Sequence, residues 1–167
     1  MPRATLPRME QSEITPETTT PRDPAIPEDP ASLKPLELAF PGPLRDQLVA
    51  AVLSGEKTST TGLLVEYETE GDELPRVGER WALIDSAGLP VAVVETTEVR
   101  VLPVGEIDLP FAIEEGEGYT TVAEWRASHE RFWQGAEMRE FLGDPEFTVT
   151  DETVAVAERF RVVRRLG

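Results

Sequence analysis

The sequence predicts an α+β, β-rich fold: a small mixed β-barrel flanked by two main helices, behind a disordered N-terminal tail. Three observations carry this expectation. From residue 36 onward, short segments alternate apolar and polar residues with a period of two. Two longer segments repeat apolar residues at helical spacing. So many short strands in about 130 residues are expected to close on one another, because closure removes exposed edges.

Residues 1–35 form the expected leader. Eight of the 15 prolines lie there among Thr, Glu and Asp. Such a stretch buries too little apolar surface to offset its ordering entropy. The domain, 36–167, opens on LELAF, an alternating strand with Leu36, Leu38 and Phe40 on one face. Pro41-Gly42-Pro43 breaks it and places Pro43 in the first turn of a helix. There Leu44, Leu48, Ala51 and Val52 form an apolar face, and Gly55 is the natural terminator. GEKTSTTG is a polar loop leading into GLLVEYETE, followed by the turn-rich GDELPRVG. A hairpin comes next: Trp81 and Leu83 alternate, Asp85-Ser86-Ala87-Gly88 turns, and Val91 to Val101 runs back. A short helical stretch near Asp108–Glu115 precedes a second strong helix, TTVAEWRASHERFWQGAEMREFL. Thr121 and Glu124 have capping-box spacing, and Val122, Trp125, Phe132 and Trp133 form the apolar stripe. TVAVAERFRVV closes the chain as a strand, with Val154, Val156, Glu158 and Phe160 on one face.

Composition bounds the chemistry. No apolar run approaches the roughly 18 residues that a membrane-spanning helix needs. MPRATLPRMEQSEITPETTT lacks the apolar segment of a secretory signal, so a cytoplasmic, reducing address is expected. With no cysteine, disulfides, thiolate metal sites and thiol nucleophiles are excluded. The formal net charge is −16, and from Leu36 onward there are 26 acidic and 12 basic residues. Such a field repels polyanions, so no non-specific polyanion binding is expected and any RNA contact must be local.

Three segments could carry chemistry. Of 16 basic residues only Lys34 and Lys57 are lysines. Arginine stays charged, whereas a buried lysine can lose its proton, so a lysine kept among arginines invites a chemical question. Lys34 falls in the expected tail; Lys57 opens a run of four hydroxyl residues, Thr58 to Thr61. A phosphate-binding loop is rejected, since the glycine spacing is wrong and the order is helix, loop, strand. The plain alternative is a hydroxyl-rich turn with a solvated lysine. In Glu114-Glu115-Gly116-Glu117-Gly118-Tyr119, glycines on both sides of Glu117 allow a sharp bend toward another group. Glu114 and Glu115 are expected to be plain acids ahead of a helix N-terminus. In Trp125-Arg126-Ala127-Ser128-His129, the ring residues are four apart on one helical face, with a packed histidine the plain expectation. Arg126 is a candidate anion contact, with a surface salt bridge as the plainer reading. One histidine, no cysteine and no carboxylate pair at diagnostic spacing give no support for a metal, and no cofactor is expected.

Taken together, Pro41-Gly42-Pro43, the helix, Gly55-Glu56-Lys57-Thr58-Ser59-Thr60, the hairpin, Glu115-Gly116-Glu117-Gly118, Trp125-Arg126-x-x-His129 and Glu158-Arg159-Phe160 resemble the ASCH domain family. The resemblance runs from about Leu36 to Val163; its Glu115-Gly116-Glu117-Gly118 and Trp125-Arg126-x-x-His129 elements resemble the longer bacterial branch. It implies a PUA-like barrel with a cleft beneath the helices and a role touching RNA or nucleosides. Some members are ribonucleases, and a shorter branch deacetylates N4-acetylcytidine with a Lys, a Thr and a Glu. Those fall on Lys57, Thr60 and Glu117 here. The short branch places a cationic residue soon after, where this chain has Thr61-Gly62-Leu63-Leu64.

The resemblance implies a hydrolase on RNA or a modified nucleoside. Lys57, desolvated, would take a proton from Thr60 or water, and Glu117 would handle the leaving-group proton or orient Lys57. Thr58, Ser59, Tyr67, Tyr119, Arg126 and His129 are the candidate substrate contacts. The alternative is a non-catalytic RNA- or nucleoside-binding module, holding an unstacked base against Tyr67, Tyr119 or a tryptophan. A third reading, a leader that docks a partner, has no motif behind it.

Overall fold

The computed structural model describes residues 29–167. A 3-10 turn, Pro30–Ser32, precedes β1 (Lys34–Leu36), α1 (Pro43–Ser54), β2 (Ser59–Leu63), α2 (Leu64–Glu70), β3 (Arg80–Ile84) and β4 (Pro90–Pro103). A second 3-10 turn, Val104–Glu106, leads to α3 (Leu109–Glu114), α4 (Val122–Trp133), α5 (Ala136–Leu142) and β5 (Val154–Arg165). The strands form one mixed sheet in the order β1-β3-β4-β5-β2. β1 runs parallel to β3, and the other neighbours are antiparallel.

The sheet separates two cores. On one face α1 packs Leu48, Val49 and Val52 against Leu38, Leu83, Val94 and Phe160. On the other, Phe111, Trp125, Trp133 and Met138 from α3, α4 and α5 pack against Leu63, Ala155 and Ala157. The alternation of β5 produces this division: its small alanines face the bulky tryptophans, and Phe160 faces α1. No helix among the described residues is long and apolar enough to cross a membrane.

The predicted class holds, and several elements differ in detail. The barrel is not closed: β1 and β2 are the edges of the sheet. They span only three and five residues, and very short edge strands limit edge exposure without closure. The expected leader overlaps β1, so Lys34 is no tail residue; it pairs with Glu79 at 2.7 Å and crosses the Trp81 ring. Residues 1–28, the rest of that leader, lie outside the described region. LELAF is extended only at its start, because Ala39 turns the chain at φ 58°. GLLVEYETE is strand only to Leu63; the next seven residues form α2, where Glu66 reaches back to Leu63 N at 2.7 Å. The long helix after Thr121 breaks at Gln134-Gly135 into α4 and α5. At Gly135 a side chain would sit 3.2 Å from the carbonyl oxygens of Arg131 and Phe132, a tight fit that favours glycine.

The apolar face of α1 differs as well. Leu48 and Val52 are buried as predicted, but Val49 and Arg45 are buried too, and Leu44 is exposed. Arg45 is buried because the turn at Ala39 aims two carbonyls at it. Its Nε donates to Leu38 O at 3.1 Å and one terminal nitrogen to Ala39 O at 2.7 Å. Replacing it by an apolar side chain leaves buried acceptors unsatisfied, at about 1–3 kcal/mol each. Arg45→Met is therefore expected to lower unfolding free energy by about 3 kcal/mol, read as a lower urea midpoint with unchanged slope.

Candidate functional site

The end of α1, the head of β2 and the loop after α3 form one unit. α1 stops at Gly55, which adopts φ 86° and donates to Val52 O. Lys57 N then bonds back to Ala51 O, which turns the lysine inward. Its side chain is 3% exposed, and Nζ donates to Ser59 O at 2.8 Å and Glu115 O at 3.3 Å. Thr58 N donates to Glu114 O at 2.8 Å. The closest approach is at Gly116, whose φ is 73° and where a Cβ would fall 2.6 Å from Glu56 O. The glycine-rich segment does bend toward another group, and that group is the Glu56-Lys57 peptide.

Glu115, which the sequence reading treated as a plain acid, is fully buried. Thr61 Oγ1 donates to its Oε1 at 2.6 Å, and Trp125 Nε1 donates to Oε2 at 2.9 Å. His129 Nε2 lies 2.7 Å from the same Oε2, while Nδ1 bonds to Trp125 O at 2.9 Å. The His129 and Trp125 rings stack at 4.4 Å, as their spacing on α4 requires. Burial alone would raise the proton affinity of Glu115. The positive charges of His129 and Lys57, with the hydrogen bonds from His129 and Thr61, overcome it and hold the carboxyl below its ordinary range.

The opposite face of β2 carries a second group of acids. Ser59, Thr61 and Leu63 face the α3–α5 core, so Thr60 and Gly62 face the α1 side. Thr60 stands directly across from Glu158 on β5. Glu158 is 6% exposed; its Oε2 accepts from Thr96 Oγ1, which itself accepts from Trp81 Nε1. Glu66 and Tyr67 of α2 lie over Gly62, where an added Cβ would sit 3.5 Å from Glu66 Oε2 and 3.7 Å from Tyr67 Oη. Burial pushes the Glu158 carboxyl up to about 7, with Glu79 adding to the rise and Thr96 and Lys57 opposing it. Burial likewise pushes Glu66 up to about 7, against the Leu63 amide and with Glu70. The Tyr67 hydroxyl is driven upward by burial and then by Glu158 and Glu66.

The residues picked out by sequence are therefore distributed over two faces. Lys57 reaches both, touching the Glu115 backbone and acting on the Glu158 charge. Thr60 is on the α1 face and, among the described residues, its hydroxyl has no hydrogen-bond partner. Glu117 is on the other side: it accepts from Tyr119 Oη at 3.0 Å, and Tyr119 also bonds to Ser128 at 2.8 Å. No hydrogen bond joins Lys57, Thr60 and Glu117 to one another. Ser59 Oγ is buried and donates to Phe111 O; Thr58 is exposed, and Arg126 is held in ion pairs with Glu130 and Asp151. Tyr67 lies on the Thr60 side. Donor atoms of Glu115, Glu117 and His129 lie within 4.8 Å of one another, a spacing that suits a metal ion. The Glu115 oxygens are already satisfied by Thr61, Trp125 and His129, so the set fits a closed hydrogen-bond network better than a cation site. The sequence reading missed Glu66, Glu115 and Glu158. An acid at an apolar position of an alternating strand was a usable signal for Glu158 only.

Two outcomes follow from this geometry. Gly116→Ala forces a left-handed backbone and a collision with the Glu56-Lys57 peptide, so it is expected to cost roughly 2–4 kcal/mol in thermal or urea unfolding. The raised carboxyls set a pH dependence. Between about pH 4.5 and 7 the folded chain holds more protons at Glu66 and Glu158 than the unfolded chain, so their contribution falls as pH rises through that window. Glu158→Gln is therefore expected to be more stable than wild type at pH 8, by about 1–3 kcal/mol, and to lose that advantage at pH 5. Glu115 has the opposite sign: its contribution is present above its ordinary carboxyl value and is lost as pH falls below it.

Comparison with known proteins agrees with this architecture. No curated protein matches the chain. A protein of Enterococcus faecalis V583 assigned to the family model DUF984 is 26% identical, with a TM-score of 0.67 over 79% of this chain and 77% of that one. An ASCH domain from Lactobacillus crispatus JV V101 is 24% identical, with a TM-score of 0.67 over 79% of this chain and 80% of that one, and shares the fold. The family model for the ASCH domain matches residues 37–164, which takes in β2, β3, β4, all but the last residue of β5, and both acid groups, and leaves out β1. With that match over most of its length, the chain belongs to the ASCH domain family.

Proposed function

We propose that this protein is a hydrolase acting on RNA or on a modified nucleoside, with Lys57 at the centre of its site. The supporting observation is the buried ammonium of Lys57, which lies at a strand head where two acid groups, around Glu115 and Glu158, converge on it from opposite sides. The Thr60 hydroxyl, three residues on, has no hydrogen-bond partner among the described residues and faces Glu158. In this reading Thr60 or a water is the nucleophile and Lys57 orients and polarises it. A carboxylate takes the proton that the nucleophile gives up and returns it to the leaving group. Glu117 takes that last role if substrate enters from the Tyr119 side, where its carboxylate is held by the Tyr119 hydroxyl.

A second reading, a binding module without chemistry, is favoured by one observation. Both hydrogen bonds of Lys57 go to backbone carbonyls, an arrangement that secures an ammonium structurally. Turnover separates the two. Purified wild type is expected to consume N4-acetylcytidine or single-stranded RNA, and Lys57→Ala is expected to lose at least a hundredfold in rate. Equal turnover by both proteins removes Lys57 from the chemistry, and no turnover by either leaves the binding module.

A further inference from the structure

Glu158 has a place in the proposed site but no part in its proposed proton transfers. Among the described residues, three polar groups on the α1 face have no hydrogen-bond partner: Thr60 Oγ1, Tyr67 Oη and Glu158 Oε1. They come from β2, α2 and β5: Thr60 stands across from Glu158, and the Tyr67 ring and Glu66 pack over the neighbouring Gly62, where a Cβ would sit 3.4 Å from the ring. Glu158 is more than nine-tenths buried, yet only its Oε2 is satisfied, by Thr96. Oε1 accepts from no donor among the described residues, which leaves it open to a ligand donor in an otherwise buried side chain.

We propose that Glu158 is a specificity-determining residue of this site, its Oε1 accepting a hydrogen bond from an uncharged N–H or O–H donor of the ligand, and that the acids around it keep phosphate out of the subsite. The inference rests on the nucleoside-directed reading and narrows it to an unphosphorylated nucleoside or base. Glu66 and Glu79 act with Glu158 on this face; Lys34 is committed to Glu79, and Lys57 to two carbonyls. A phosphate brought here meets like charge that no spare cation in the group offsets. An uncharged base edge meets the reverse. Carboxyls with proton affinities near neutrality accept when ionised and donate when protonated, so Glu66 and Glu158 together offer both halves of the donor–acceptor edge that nucleobases carry. The Tyr67 ring supplies an adjacent flat surface.

The test is calorimetric titration of wild type and Glu158→Gln with cytidine, uridine, adenosine and guanosine, and with the 5′-monophosphate of each. The expected result is that at least one nucleoside binds wild type ten times or more tightly than its own monophosphate, and that Glu158→Gln weakens that nucleoside at least tenfold. A monophosphate binding as tightly as its nucleoside overturns the inference; so does an unchanged Glu158→Gln affinity, or no binding by any nucleoside. The comparison in wild type needs no variant, so it stands even if Glu158→Gln misfolds. The two readings fail separately. RNA cleavage without nucleoside binding ends this inference and leaves the hydrolase, whereas Glu158-dependent binding without turnover does the opposite.

Discussion

One buried carboxylate organises the α3–α5 half of this fold. Glu115 is fully enclosed, and a charge in that position is tolerable only when it is paired and hydrogen-bonded. Its partners come from three places: Thr61 on β2, Trp125 and His129 on α4, and Lys57 at the end of α1. Satisfying that one group therefore fixes the docking of α4 against β2 and the position of the loop after α3. Gly116 follows immediately and presses on the Glu56-Lys57 peptide, so the same loop that supplies the carboxylate also closes over the lysine. Removing Thr61 or Trp125 leaves a buried carboxylate oxygen without its donor, and removing His129 or Lys57 takes away compensating charge, the more severe defect.

The two acid groups flanking β2 differ in electrostatic character, and the difference separates their roles. Glu115 is satisfied on both oxygens and held ionised; it stabilises the fold. Glu158 is buried and Glu66 half-buried, each with fewer partners than Glu115, and their raised proton affinities mean that they cost stability at neutral and alkaline pH. Groups that cost stability without a compensating contact in the empty protein are characteristic of sites that engage a ligand. Both groups are adjacent to one strand, and the alternation of β2 is what keeps them apart. Thr61 serves the structural acid and Thr60 faces the other.

Much of this was legible from local pattern. Period-two alternation located β3, β4 and β5, and the Pro-Gly-Pro break and Gly55 bounded α1, because these signals depend on backbone geometry that neighbours in sequence determine. The stacking of His129 on Trp125 followed from a four-residue spacing in the same way. What was not legible depended on distant partners. GLLVEYETE has apolar residues compatible with a strand or a helix, and the reach of Glu66 back to Leu63 N settled it as a helix. Arg45 reads as a solvent-facing residue until the turn at Ala39 brings two carbonyls to it. Glu115 and Glu117 are indistinguishable by composition. The glycine brackets pointed to Glu117, yet it is Glu115 that is buried, since only the long-range meeting of the loop with Thr61 and α4 decides which acid turns inward.

The choice of lysine at position 57 now has a physical reason. In a chain that uses arginine at 14 of its 16 basic positions, an arginine here would bring a planar fork with five donors into a space that offers two carbonyl acceptors. Its remaining donors would be buried without partners, on a side chain too broad for the gap under Gly116. An ammonium is compact, and two of its three donors are satisfied by Ser59 O and Glu115 O. Its charge bears on Glu115 from one side of β2 and on Glu158 from the other, lowering the proton affinity of each. Lys57 is thus the element through which the rigid, ionised half of the site communicates with the under-partnered half. That coupling is electrostatic and needs no movement of the backbone, which suits a site built where three elements are already bonded together.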